Sequence, residues 1–130
     1  MRAIKVYRPP GEESPFEAFL IQQDPKLRHK IRWTLFRMMK MEICDLKEPH
    51  FKHFALERYS PFYELREKSK ILVRVVFTVR GGDILLLVPF IKKEPRDTMR
   101  ALERSINMLA DVREHPDYAA EYDFKKGMEK

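Results

Sequence analysis

Four cations mark the part of the chain best suited to chemistry. Arg74 lies within an apolar and β-branched run, Arg66 ends the stretch Phe62–Arg66 before it, and Lys92 and Lys93 stand together at the end of a third stretch. Arginine presents a planar fork of donors that grips an oxyanion with two parallel hydrogen bonds, and lysine adds a mobile point charge. Arg74 is the most informative of the four because it sits in mid-strand, inside LVRVVF. A charge buried there without a partner is strongly destabilising, so the side chain needs an outlet to water or to an anion. Basic residues at sheet edges also block edge-to-edge pairing, but a mid-strand arginine is hard to explain that way.

The elements that must position these groups run from Phe62 to Lys93. Arg80-Gly81-Gly82-Asp83 is a two-residue hairpin turn, where glycines accept the positive φ angles such a loop requires. It joins Ile71–Val79 to Ile84–Ile91. The polar turn Glu67–Lys70 joins Phe62–Arg66 in front. The register predicted from the glycine turn pairs Thr78 with Leu85, Val76 with Leu87 and Arg74 with Pro89. Proline lacks an N–H for the ladder. A bulge at Pro89 would turn Lys92, rather than Lys93, toward Arg74. A three-residue loop around Ser69 places Glu64 opposite Arg74 and Arg66 opposite Leu72. Ile71, Val73, Val75, Phe77 and Val79 form the core side of their strand, and Leu72, Arg74, Val76 and Thr78 a mixed side.

The remaining elements supply the layer behind this sheet. Ala3–Tyr7 reads as a short strand stopped by Pro9-Pro10-Gly11. Ser14-Pro15-Phe16-Glu17 is a capping box with proline at the first helical position, opening a short helix with Phe16, Phe19 and Leu20 on one face. Asp24-Pro25 opens a longer helix to about Met41, with Leu27, Ile31, Leu35 and Met38 toward the core and Thr34 beside them. Its other face carries Arg28, His29, Lys30, Arg32, Arg37 and Lys40. Such a face is commonly just solvated, but it also suits a nucleic-acid footing. Glu42–Tyr59 reads as loop; His50 and His53 within it are of a type used in proton transfer, though more often simply exposed. Asp97 is the expected cap of a last helix from Thr98 to His115, with Met99, Leu102, Ile106 and Leu109 as its apolar stripe. The tail from residue 116 to 130 reads as a final helical turn or a frayed end. The order β-α-α-β-β-β-α predicts a single α+β domain over residues 1–130, with helices on a small antiparallel sheet.

The totals bound the partner. The chain has 130 residues and a net charge of +6, and residues 62–93 carry 7 Lys/Arg against 3 Asp/Glu. A polyanion is the expected ligand. Cys44 is the sole cysteine, no Cys/His cluster has zinc spacing, and no apolar run has the length of a signal peptide or membrane span. A cytoplasmic protein without metal or membrane is the expectation.

Tyr63-Glu64-Leu65-Arg66, Val73-Arg74-Val75-Val76-Phe77, Gly82-Asp83-Ile84-Leu85-Leu86-Leu87 and Phe90-Ile91-Lys92-Lys93, in that order, resemble the RelE/ParE toxin superfamily, and most nearly its HigB-like, phage-derived branch. The resemblance implies a small curved antiparallel sheet with two N-terminal helices packed on it and a C-terminal helix. It implies the toxin of a type II toxin–antitoxin pair, acting on mRNA at the ribosome, with a cognate antitoxin and no cofactor. Arg66, Arg74, Lys92 and Lys93 are then the candidate catalytic residues, and Arg28, Lys30, Arg32, Arg37 and Lys68 the candidate RNA-binding ones. RNA carries its own nucleophile, the 2′-OH. Cleavage needs that oxygen in line with phosphorus, a base for its proton, and positive charge on the phosphorane. Arg74 and Arg66 suit the clamp and a lysine further charge, while Glu64 suits an ion pair with an arginine or the base. The superfamily also includes inhibitors of DNA gyrase that cleave nothing, and a non-toxic RNA- or protein-binding module of the same fold is a third alternative.

Overall fold

The computed structural model describes residues 1–125. Among them lie β1 (Ile4–Tyr7), α1 (Pro15–Ile21), α2 (Pro25–Met38), β2 (Phe51–His53), β3 (Phe62–Lys68), β4 (Leu72–Arg80), β5 (Asp83–Ile91), α3 (Pro95–Glu114) and β6 (Ala119–Glu121). The strands form one sheet in the order β2-β3-β4-β5-β1-β6. The architecture is α+β as expected, but the sheet is mixed: β1 runs parallel to β5, and the other pairings are antiparallel.

Both faces of the sheet are covered. Leu27, Ile31, Leu35 and Met38 of α2 and Phe16 and Leu20 of α1 pack with Val73, Val75, Phe77, Ile84 and Leu86 on one face. Ala101, Leu102, Leu109 and Val112 of α3 pack with Phe62, Val76, Leu85, Leu87 and Val88 on the other. This corrects the expected one-sided β4: Val76 and Thr78 are as buried as the residues between them. It also explains why β5 is apolar on both faces.

The two N-terminal helices start where the caps predict. Ser14 Oγ accepts from Glu17 N at 3.2 Å, and Asp24 Oδ1 from Leu27 N at 2.9 Å. The longer helix ends at Met38 rather than Met41. The last helix begins earlier than expected, at Pro95. Asp97 lies inside its first turn and accepts the backbone N–H groups of Lys93 and Glu94 at 2.8 and 3.0 Å. These bonds hold its carboxyl below the usual carboxylate range. The α3 stripe is also rotated from the expected one: Met99 is exposed, while Ala101, Ser105, Met108 and Val112 are buried.

Two strands were not expected. Phe51–His53 pairs with β3 inside the segment read as loop. Residues 119–121, read as a helical turn or frayed end, pair with β1; residues 126–130 of that tail lie outside the described part. Tyr122 follows, buried against Phe16 with ring centroids 5.7 Å apart.

Candidate functional site

The glycine turn sets the β4–β5 hairpin. Gly81 and Gly82 take φ values of +60° and +87°; Arg80 pairs with Asp83, and Thr78 pairs with Leu85 as predicted. The register then shifts. Phe77 pairs with Leu86 but Val76 pairs with Val88, so Leu87 is the extra residue of a bulge. The bulge falls two positions before Pro89, where it was expected, and it moves Arg74 from Pro89 to Phe90. The Lys92 N–H donates to Leu72 O at 2.8 Å, extending the ladder by one residue. By alternation this leaves Arg74, Phe90 and Lys92 on the α3 side of the sheet.

The β3–β4 loop also differs by a step. Ser69 N donates to Ile71 O at 3.0 Å, which centres the turn on Lys70 rather than Ser69. Arg66 therefore pairs with Arg74 and Glu64 with Val76, instead of Arg66 with Leu72 and Glu64 with Arg74. An offset of two residues preserves the face, so Glu64, Arg66 and Arg74 still share one side of the sheet.

Two arginines directly opposite each other repel, and Glu64 is what holds them. Its side chain is 1% exposed, and one oxygen serves both guanidinium groups: Oε1 lies 3.1 Å from Arg66 Nε and 3.7 Å from Arg74 Nε. The trio carries a net charge of +1. Burial pulls the Arg74 guanidinium below its ordinary value, with Glu64 opposing and Arg66 adding to that effect. Arginine stays protonated nonetheless. Arg74 Nη1 makes one long bond, 3.4 Å to Val73 O, and among the described residues the Arg66 Nη groups make none. Arg74 Nε and Glu64 Oε2 are buried without a hydrogen bond. The trio is thus an under-neutralised fork, complementary in charge to an oxyanion.

Lys92 is half-buried beyond Phe90, whereas Lys93 is exposed where the chain enters α3. The structure brings Arg66 and Arg74 into one cluster and puts Lys92 on their face, with Lys93 outside the ladder. Lys68 ends β3 on the same face as Arg66 by alternation, and is exposed.

The expected RNA-binding residues of α2 are not part of this cluster, because α2 covers the other face. Arg28 Nη1 binds the carbonyls of Ile21 and Gln23 at 3.2 and 3.1 Å, closing the end of α1. Arg32 Nε donates to Tyr122 Oη at 3.0 Å. Lys30 Nζ donates to Lys68 O at 2.8 Å and lies 3.9 Å from Glu67. Arg37 is exposed. Sequence reasoning missed Glu67, which is 8% exposed and accepts a 2.5 Å hydrogen bond from Thr34 Oγ1; its alternation with Glu64 and Arg66 was the available signal. His53 Nε2 donates to Ser60 O at 2.7 Å, and its ring stacks on Tyr63 with centroids 4.3 Å apart. That is a structural role for one of the two histidines. Among the described residues, no group of three or more His, Cys, Asp or Glu is placed to hold a metal ion, and no helix is long and apolar enough to cross a membrane.

A sheet-borne arginine fork backed by a buried carboxylate, with a lysine on the same face, marks the α3 side of this small α+β protein. The chain belongs to the family described as Phage derived protein Gp49-like (DUF891), whose pattern matches residues 18–111. This is a toxin family of the RelE/HigB type found in toxin–antitoxin systems. None of the curated proteins and none of the solved structures matches the chain.

Proposed function

We propose that this protein is a toxin that cleaves mRNA on the ribosome, using the RNA 2′-OH as nucleophile. The observation that carries the reading is the Glu64-anchored pair of arginines. A phosphodiester is a singly charged oxyanion with two free oxygens, and the fork offers a net charge of +1. In the reaction the 2′-oxygen attacks phosphorus and the bond to the 5′-oxygen breaks. The products are a 2′,3′-cyclic phosphate and a 5′-hydroxyl, with the proton leaving the 2′-oxygen and another reaching the 5′-oxygen. The phosphorane carries one more negative charge than the substrate, so fixed cations favour it over the ground state. Arg74 and Arg66 act as the clamp, and Lys92 adds charge from the end of β5. Glu64 is a positioning residue: both of its close contacts are to arginine Nε atoms, which leaves the Nη edges for phosphate. Family membership supports the toxin reading and a cognate antitoxin as partner.

Inducible expression in a bacterium, wild type beside Arg74→Ala, with primer extension on abundant transcripts, tests this. Growth arrest with codon-phased cuts, both lost in the variant while the protein stays folded, is the expected result. Arrest without cuts would favour gyrase inhibition. Normal growth with soluble, folded wild-type protein would refute toxicity altogether.

A further inference from the structure

The outward side of α2 has a composition that neither its fold nor the arginine fork uses. Lys26, His29, Trp33, Phe36 and Lys40 recur at steps of three and four, opposite the buried Leu27, Ile31, Leu35 and Met38. Trp33 is 59% exposed and Phe36 41%. Their rings stack with centroids 5.8 Å apart and planes 18° from parallel. Lys40 Nζ sits 4.7 Å from the centre of the Phe36 ring. Arg37 is exposed beside them, and α2 contains no acidic residue. The helix residues spent on the fold are Arg28, Arg32 and Lys30, bound to backbone or to Tyr122. What is left facing solvent is an aromatic pair with cations before and after it.

We propose that this stripe is a second RNA-contacting surface, which stacks an unpaired base of single-stranded RNA on Trp33, backed by Phe36, while Lys26, Arg37 and Lys40 meet the neighbouring phosphates. Charge complementarity requires a polyanion. The two rings decide which kind. A protein partner needs roughly 800 Å² of each surface, and here the apolar part of the stripe is two side chains wide with cations fore and aft. A base needs one ring face, and stacking tolerates any base because all have a π-face. A duplex would present phosphates but bury its bases. The stripe faces away from the sheet side that carries Arg66 and Arg74, so it holds a different segment of RNA from the one at the fork. The inference deepens the RNA reading above and rests on it for the choice of polymer, yet it concerns the opposite side of the molecule.

Trp33 is the only tryptophan, so its emission reports this surface without a label. The full chain, without ribosomes and carrying Arg74→Ala, is titrated with a single-stranded oligoadenylate, a blunt RNA duplex and heparin. Oligoadenylate is expected to quench Trp33, with an affinity that falls as salt rises; duplex and heparin are expected to bind without comparable quenching. By anisotropy of a labelled oligoadenylate, Trp33→Leu should weaken binding by roughly 5- to 100-fold with unchanged circular dichroism. Lys40→Gln should lower the slope of log affinity against log salt by about 0.7. Saturating oligoadenylate that leaves Trp33 emission unmoved would overturn the proposal. So would equal binding by Trp33→Leu, or equal quenching by heparin. A Trp33 signal that changes with protein concentration alone, together with a doubled sedimenting mass lost in Trp33→Leu, would make the stripe a self-association surface and also overturn it. None of these results depends on whether Arg74 is needed for cleavage, so the two readings fail separately.

Discussion

Glu64→Gln tests whether one carboxylate holds the arginine fork together. The amide keeps the shape of the side chain and removes its charge. The charge that is lost is shared by an oxygen 3.1 Å from Arg66 Nε and 3.7 Å from Arg74 Nε. At an effective dielectric near 20, each contact of that length corresponds to roughly 5 kcal/mol of Coulomb attraction before solvent competes. Arg66 is 25% exposed and Arg74 13%, so water recovers part of that loss. Removing one partner of a buried pair costs about 3–5 kcal/mol, and the partial exposure here places the expectation at the lower end, about 3 kcal/mol. In a chain of this size that lowers Tm by about 10 °C. The fork without its carboxylate carries two facing positive charges, which a divalent oxyanion can bridge. Thermal melts in dilute chloride and then in sulfate are the assay. Sulfate stabilises most proteins by exclusion, so the diagnostic quantity is the extra gain of the variant over wild type. A variant that melts within about 3 °C of wild type, or that gains no more from sulfate than wild type does, would refute the shared-carboxylate account.

Three further outcomes are expected. Thr34→Val leaves the buried Glu67 carboxylate without its 2.5 Å donor; a loss of about 1–3 kcal/mol should appear as a lower urea midpoint with unchanged slope. Gly82→Ala meets open space around its Cβ but a φ of +87°, so its cost is one of backbone alone, about 1–2 kcal/mol by chemical denaturation. The Tyr7 hydroxyl, pushed up to about 12 by burial and then by its 2.7 Å bond to Asp111, favours the folded state while protonated. Its contribution is complete below the ordinary tyrosine value and is lost as pH rises toward 12, so Tyr7→Phe should flatten the loss of stability between pH 10 and 12 in melts followed by circular dichroism.

Local signals were legible where one residue type has one use. Ser14-Pro15, Asp24-Pro25 and Gly81-Gly82 each mark the element they were read as marking, because capping oxygens, a fixed φ and a positive φ leave few alternatives. Signals failed where tertiary pairing decides. Phe51–His53 and Ala119–Glu121 are too short to show a period, and they become strands only because β3 and β1 offer free edges. Within β5 the run from Ile84 to Val88 is apolar throughout, so nothing in it reveals that Leu87 is the bulged residue. Arg74 was readable because it interrupts an apolar run, and Arg66 because it ends the preceding strand on the same face. The shared oxygen of Glu64 was not, since it depends on a register that the loop alone leaves two residues uncertain. Nor can a helix-face pattern reveal that Arg28 and Arg32 are spent on backbone carbonyls and a tyrosine.

The bulge at Leu87 divides β5 into two lengths that keep separate time. Before it, Ile84 and Leu86 answer to α1 and α2, while Leu85 answers to α3. After it, Val88 and Phe90 resume on the α3 side, one step out of phase with the first half. Pairing Leu87 regularly with Val76 would leave the hairpin turn intact, yet would set Pro89 opposite Arg74 and rotate Phe90 and Lys92 to the opposite surface. The hairpin would still close, with Ile91 and Lys93 in place of Phe90 and Lys92 on the face of Arg74. One uncounted leucine is thus the joint that sets which face of the sheet the end of the strand presents.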